Sequence, residues 1–517
     1  MQNDLPIANK AELTEREQDG NKKIEHVLII ALATAIISIG IFLRLYFFIL
    51  NRPLWLDEAM LAINLVGRSF SGLLRPLDYN QGAPIAFLFL EKTVMSLFGN
   101  RDYVLRIIPV TAGIVSVPLM YLVSKKYVGK FPALISSGLF ALSWNLIYYS
   151  SEAKQYSSDV IVTLLLLLVV PNCLVEDSKP QAFIEFGIAG SLAIWFSHPS
   201  LFVIAGIFLT LGLTFILMKK LNRLIWLIGA GFAWAISLVL VYFVSLRNLA
   251  TNFTLLNFWR DYFAPLPPWG NFSWYQNALA QMLEYPAVLP ISFITIGILI
   301  IGVLSFAFRR WQLTIILLAP FLLTLIASAL KKYPFYGRFL LFLVPLLLLL
   351  LAEGIGRLQI IIRRLNRPFA WLVSMSFVIF FIVEPVTLAY RYIQSPPIRE
   401  DIRSVMSYIG RNHLNTDMVY VYWEAIPAFE FYAPLYGFYQ NDYSKGIKSI
   451  NDPTKYLDYF NNLSSGQRVW IVFTRSCGSP TCLVDEQKYI MEYLDRIGIR
   501  KDSKIANSAT TYMYIKK

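Results

Sequence analysis

The sequence predicts a polytopic α-helical membrane protein that carries a soluble C-terminal α/β domain, and three observations lead there. Of its 517 residues, 56% are apolar or aromatic and 15% charged, against roughly 45–50% and about 25% in soluble domains. The apolar residues come in blocks close to the ~20 residues a helix needs to cross the hydrocarbon. Basic residues gather in alternate connections between those blocks, as the positive-inside bias requires.

Composition also excludes classes. The 46 Lys+Arg against 33 Asp+Glu leave a formal charge of +13, but the cations lie between apolar blocks and form no single polar stripe. Topology therefore accounts for them, and no nucleic-acid partner is expected. Three cysteines and three histidines are too few and too scattered for a zinc cage or disulfide scaffold.

Residues 1–26 form a polar tail of mixed charge, expected to be cytoplasmic. The block from Val27 to Leu50 exceeds the 7–15 residues of a signal-peptide core and reads as the first span, running from inside to outside. Ten more are expected near 106–124, 131–149, 160–175, 182–197, 200–217, 224–246, 287–308, 312–330, 338–355 and 369–390. With these eleven spans, Lys125, Lys126 and Lys130, then Lys219, Lys220 and Arg223, then Arg309 and Arg310, then Arg357, Arg363, Arg364 and Arg367 all fall on the cytoplasmic side. The stretch Ala83–Phe98 contains Glu91 and Lys92, and counting it as a span would reverse that parity. It reads as an interfacial or re-entrant helix.

The same parity places 51–105, 150–159, 247–286, 331–338 and everything after Tyr390 outside. The 391–517 segment changes character: short apolar runs at Met418–Trp423 and Val469–Phe473 alternate with helical stretches such as Glu486–Ile497. It reads as a small extracytoplasmic α/β domain, following a transmembrane domain over 27–390. Cys477 and Cys482 in its Gly-Ser-Pro turn are compatible with a disulfide or with two free thiols.

Polar residues concentrate on the outer face. Asp57 and Glu58 directly follow the first span; two acids there suit a general base with an orienting neighbour, or else an N-cap with a first-turn glutamate. The Tyr148–Asp159 loop mixes Glu152, Lys154, Tyr156 and Asp159 with serines, as a substrate-binding loop would, although an aromatic interface belt has the same composition. Lys331, Lys332 and Arg338 put three cations on the outer side against the charge rule, which calls for an anion, either a phosphate or lipid headgroups. Arg44, late in the first span, is a related phosphate-binding candidate. His198 before Pro199 is placed to hydrogen-bond a sugar or phosphate, or to serve a structural role. Trp259, Trp269 and Trp274, with Pro265, Pro267 and Pro268, make the 247–286 loop aromatic and stiff.

In order and on one face, these motifs resemble those of the GT-C membrane glycosyltransferases, the group of protein O-mannosyltransferases and lipid A aminoarabinose transferases. The resemblance covers about 27–390 and rests on Leu54-Trp55-Leu56-Asp57-Glu58-Ala59, Asn80-Gln81-Gly82-Ala83-Pro84 and Leu105-Arg106-Ile107-Ile108-Pro109. It continues through Tyr149-Ser-Ser-Glu152-Ala-Lys154-Gln-Tyr156 and Tyr336-Gly-Arg338-Phe leading to Val344-Pro345. It implies Asp57 as catalytic base with Glu58 beside it. Asp159 matches, within one residue, an acid of the family. Lys331, Lys332 and Arg338 would hold the donor phosphate, and Gln81 and Tyr336 belong to the substrate-binding set. Arg44 and His198 rest on position and charge alone.

The implied activity is transfer of a sugar from a polyprenyl-phosphate donor to an acceptor hydroxyl on the outer face of the cell (inner or plasma) membrane, with inversion. The acceptor, whether glycan, lipid or protein, does not follow from the resemblance. No metal or cofactor is required, and a divalent cation between Asp57 and Glu152 is compatible with the chemistry. The alternatives are a flippase or transporter of lipid-linked glycans, which should show paired broken helices, and an O-antigen polymerase or ligase, which should carry its charges in a late outer loop.

Overall fold

The computed structural model describes residues 7–175, 179–449, 452–474 and 486–517, so Cys477 and Cys482 lie outside the described residues. In chain order the helices are α1 (Ile7–Ile49), α2 (Leu56–Gly67), α3 (Ile85–Phe98), α4 (Ile107–Val128), α5 (Lys130–Leu142), α6 (Trp144–Ser150), α7 (Tyr156–Leu174), α8 (Pro180–Phe196), α9 (Ser200–Leu217) and α10 (Leu221–Val241). They continue as α11 (Arg247–Ala250), α12 (Phe253–Phe258), α13 (Phe272–Glu284), α14 (Phe293–Arg309), α15 (Trp311–Ala329), α16 (Val344–Arg363), α17 (Arg367–Gln394), α18 (Ile402–Asn412), α19 (Ile426–Tyr432), α20 (Asp458–Asn461) and α21 (Glu486–Ile497). The strands are β1 (Met418–Val421), β2 (Ser444–Lys445), β3 (Arg468–Thr474), β4 (Gly498–Ala506) and β5 (Ala509–Lys516).

The chain divides into two compact units. One comprises Met1–Ile49, Ala83–Phe87 and Ile107–Gln394; the other comprises Leu50–Gly82, Leu88–Arg106 and Ser395–Lys517. The sequence reading assigned 51–105 to the transmembrane domain as its outer loop, whereas most of that loop packs in one unit with the C-terminal residues.

The first unit is helical because lipid offers backbone groups no partner outside the helix. Among the described residues, eight helices are long and apolar enough to cross a membrane, and α5 with α6, bent by 54°, makes a ninth if counted as one broken span. Each of the eleven expected segments holds a helix. However, α8 and α14 have 17 residues each, or ~25 Å at 1.5 Å per residue, short of the ~30 Å hydrocarbon. α3, with 14 residues, is shorter still. α14 and α16 approach closely through glycine: a Cβ on Gly302 would stand 2.0 Å from the Leu350 carbonyl oxygen, and one on Gly354 would stand 2.1 Å from that of Ile298. Small residues at such crossings let helix backbones touch in lipid.

In the second unit, a five-stranded sheet runs in the order β2-β1-β3-β5-β4. β1 is parallel to β2 and β3, while β5 is antiparallel to β3 and β4, with Ile471 of β3 opposite Tyr420 of β1 on one side and Tyr512 of β5 on the other. β3 is buried from Val469 onward, as its unbroken apolar run requires. Exposed Arg500, Lys501 and Lys504 line edge strand β4 and discourage pairing with another chain. α18 buries Ile402, Val405, Met406 and Ile409, a stripe at helical spacing.

Candidate active site

The candidate residues fall into two groups, one in each unit. The first is built on α2. Trp55 is extended, and the helix begins at Leu56 with Asp57 and Glu58 in its first turn, where the helix dipole favours carboxylates. The two acids have different surroundings. Glu58 is 2% exposed and bound by Arg106, whose Nη2 lies 2.9 Å and 2.8 Å from its two carboxylate oxygens and whose Nε lies 3.1 Å from Oε1. Arg106 also donates to the carbonyls of Arg52 and Pro53. The Trp55 amide reaches Glu58 Oε2 at 3.4 Å, so the N-terminal capping alternative describes Glu58 well. So engaged, Glu58 anchors the first turn of α2 beside Asp57.

Asp57 is half-buried. Gln81 Nε2 donates to its Oδ1 at 3.3 Å, which ties the Asn80-Gln81-Gly82 motif to the acid. Tyr79 and Asn80, just before it, both adopt positive φ, at 59° and 54°, a region that non-glycine residues enter sparingly.

The second group lies on the α6–α7 turn and the Leu330–Leu343 segment. Arg338, whose side chain is 18% exposed, lies 3.8 Å from buried Glu152. Its guanidinium also sits over the rings of Tyr156, at 5.3 Å, and Phe339, at 5.9 Å. Lys154 is buried in the same turn, and its amide donates to the Glu152 carbonyl at 2.7 Å. Tyr149 and Tyr285 share a hydroxyl–hydroxyl bond. The Tyr262 and Tyr336 ring centroids are 4.0 Å apart, and the Trp259 and Phe339 centroids 5.0 Å. The arrangement is a cation backed by a carboxylate and framed by aromatic faces, which suits a phosphate and a sugar ring.

The remaining candidates lie around this group. Lys331 and Lys332 are exposed at the end of α15, where their amides bond the Ser328 and Ala327 carbonyls at 2.8 Å each. They complement the helix C-terminus. Asp159 is buried in the first turn of α7. His198, between α8 and α9, has Nε2 3.5 Å from Ser245 Oγ; burial pulls its imidazole down to about 4, so at neutral pH it is uncharged.

Arg44, the phosphate-binding candidate within the first span, is set among backbone carbonyls. It is 1% exposed, donates to the carbonyls of Gly40 at 2.9 Å, Ala141 at 3.2 Å and Phe140 at 3.4 Å, and lies over the Phe140 ring. Backbone oxygens, which can satisfy a guanidinium inside a bundle, accept from Nη1 and Nη2.

Two residues escaped the sequence reading. Arg106 appeared only as part of a motif, although an arginine opening an apolar segment signals a buried acidic partner. Glu400, whose Oε2 accepts the Leu56 amide at 2.9 Å, carries no local signal. Among the described residues, no group of three or more His, Cys, Asp or Glu side chains forms a metal site.

No protein-family model matches the sequence, and no curated protein does. In structure, the chain is similar to ArnT from Cupriavidus metallidurans in the apo state over 95% of this chain and 98% of that one, at 11% identity and TM-score 0.57. The same enzyme bound to undecaprenyl phosphate matches over 94% and 97%, at 13% identity and TM-score 0.55. An Archaeoglobus fulgidus oligosaccharyltransferase tethered with an acceptor peptide covers 85% of this chain and 68% of its own, at 10% identity and TM-score 0.47. At such identities the likeness is one of architecture. The chain has the fold of the GT-C glycosyltransferases, as its motifs anticipate.

Proposed function

We propose that the protein is an integral-membrane glycosyltransferase that moves a sugar from a polyprenyl-phosphate donor to an acceptor hydroxyl on the extracytoplasmic face. The observation that carries this reading is the hydrogen bond from Gln81 Nε2 to Oδ1 of half-buried Asp57 in the first turn of α2, on a turn that Arg106 fixes by binding Glu58 through Nε and Nη2. The full-length fold match, and the undecaprenyl phosphate held by one of the matched ArnT structures, support a lipid-linked donor.

In this mechanism the Asp57 carboxylate takes the proton of the acceptor hydroxyl as its oxygen attacks the anomeric carbon. The bond from that carbon to the phosphate oxygen breaks, and the electron pair leaves with the polyprenyl phosphate. Arg338, with Lys331 and Lys332 nearby in sequence, stabilises the charge that develops on the phosphate. Gln81 orients Asp57. Glu152 and Lys154 hold Arg338 and the donor, the rings of Tyr156 and Tyr336 offer stacking faces to the sugar, and Asp159 and neutral His198 supply hydrogen bonds. A single displacement inverts the anomeric carbon. Protein side chains supply every step, and addition of EDTA tests whether a divalent cation contributes.

The reading is tested by incubating the purified protein with polyprenyl-phosphate sugars and acceptor extracts and determining the anomeric configuration of the product. Inversion is expected; retention would exclude the single displacement.

A further inference from the structure

The entry to α2 is held by the C-terminal part of its own unit. The Leu54 amide donates to the Tyr432 hydroxyl at 2.9 Å, and the Leu56 amide donates to Glu400 Oε2 at 2.9 Å. Between them, the Arg399 guanidinium lies 4.3 Å over the Trp55 ring. The chain just before is gripped as well, because Arg403 donates to the Asn51 carbonyl and Arg52 to that of Pro397. The grip therefore covers both sides of Trp55, the residue before the helix, and Asp57 follows the gripped Leu56 directly.

The holding groups are themselves fixed. Glu400 and Tyr432 are buried. Tyr432 donates its hydroxyl to Asp102 Oδ2 at 3.0 Å, and Arg403 pairs with the same oxygen at 3.0 Å. Burial first, and then the Asp102 charge, hold the Tyr432 phenol well above its usual range, so it stays a neutral donor. The irregular segment that carries Glu400 is pinned to the β4–β5 turn: the Asp401 amide donates to the Asn507 carbonyl at 2.8 Å, and Asn507 Nδ2 donates to the Ile398 carbonyl at 2.6 Å. A continuous set of hydrogen bonds thus runs from the edge hairpin of the sheet to the first turn of α2.

The first amides of a helix have no partner within it, and a carboxylate there is held by charge-assisted hydrogen bonds and by the helix dipole. Here that carboxylate comes from a residue 344 positions away. Local caps such as Ser or Asp would satisfy the same amide, but they would not couple it to another part of the fold.

We propose that Glu400 and Tyr432 are positioning residues through which the C-terminal domain aims Asp57. The proposal rests on Asp57 being the base. The C-terminal domain then has a part in catalysis that does not depend on which acceptor is used.

The experiment uses the full-length protein in nanodiscs, with undecaprenyl-phosphate sugars as donors. It compares wild type, Asp57→Asn, Glu400→Ala, Glu400→Gln, Tyr432→Phe and Phe460→Leu, the last being a core change elsewhere in the same unit. A shift of the base by an ångström is expected to lower kcat by about 10–100-fold. Glu400→Ala should show that loss with donor KM within about twofold of wild type. It should also show faster hydrogen exchange over residues 54–60. Glu400→Gln, whose amide oxygen still accepts the Leu56 amide, should recover most of both, and Tyr432→Phe should show a smaller loss of kcat.

Phe460→Leu should lower the melting temperature and leave kcat unchanged. If Glu400→Ala turns over like wild type while Asp57→Asn is inactive, the positioning role is overturned and the base stands. If Phe460→Leu loses kcat as Glu400→Ala does, the effect is domain integrity and the proposal again falls. If Asp57→Asn is as active as wild type, or wild type releases undecaprenyl phosphate from no donor, the underlying functional reading fails and takes this proposal with it.

Discussion

Glu58 and Arg106 form a buried ion pair 2.8 Å across, with side chains 3% and 2% exposed, and this pair fixes the turn that carries Asp57. Arg106 meets Glu58 through Nε and Nη2 and spends Nη1 on the Arg52 carbonyl, so one guanidinium joins the chain before α2 to the helix itself.

Removing either partner leaves a buried charge alone, at a cost of about 3–5 kcal/mol. Glu58→Ala and Arg106→Ala should each lower the melting temperature of the detergent-solubilised protein by several degrees. Arg106→Lys, which cannot reproduce the fork, should recover only part of it. Melting curves check this; an unchanged midpoint in Glu58→Ala would mean that the pair contributes nothing to stability.

Arg338 is expected to act on the donor. A hydrogen bond to a charged group is worth about 1.5–3 kcal/mol, so Arg338→Ala should raise donor KM about 10–100-fold. Arg364→Ala, at the other end of α16, should leave it near the wild-type value. Donor titrations with each variant decide, and equal effects would remove the phosphate assignment.

Membrane orientation is open to labelling. In a background with Cys173, Cys477 and Cys482 changed to Ser, Arg260→Cys, whose native side chain is 74% exposed, should react with an impermeant maleimide from outside intact cells. Arg364→Cys should react only after permeabilisation. The reverse pattern would invert the topology.

The C-terminal domain should carry a pH signature. Glu486 accepts from Tyr422, from Trp423 Nε1 at 3.2 Å and from Tyr456 at 3.0 Å, yet burial holds its carboxyl above the usual range. The folded state therefore binds its proton more tightly than the unfolded state does. The stabilisation is complete below the unfolded value of about 4.3 and is lost as pH rises through the folded value. Glu486→Gln should flatten the melting temperature over that window, and an unchanged slope would assign it to another group.

Much of the fold was legible, for physical reasons. Hydrocarbon thickness imposes long apolar runs, so the expected Val27–Leu50 span meets a helix over Lys23–Ile49. The runs at Met418 and Val469 became β1 and β3 because parallel strands covered on both faces are continuously apolar. The break at Ser143 was not legible, since α5 and α6 together have the length and hydropathy of one straight span. The β4–β5 hairpin was missed because its edge strand is largely polar.

The site was legible as a set of residue types and not as partnerships. Asp57 stood out by its place after a span, but nothing local tells that Glu58 pairs with a residue 48 positions on, or that Glu400 caps α2. Arg44 shows the same limit. An arginine in a span can face a cavity or bond backbone carbonyls, and the sequence does not say that Arg44 donates to those of Phe140 and Ala141.

The most direct test of the central claim follows free polyprenyl phosphate when purified wild type and Asp57→Asn are given a panel of polyprenyl-phosphate sugars with membrane extract as acceptor source. Release by wild type, reduced at least a thousandfold in Asp57→Asn, is the predicted result. Equal release by both would contradict the assignment of Asp57 as the base.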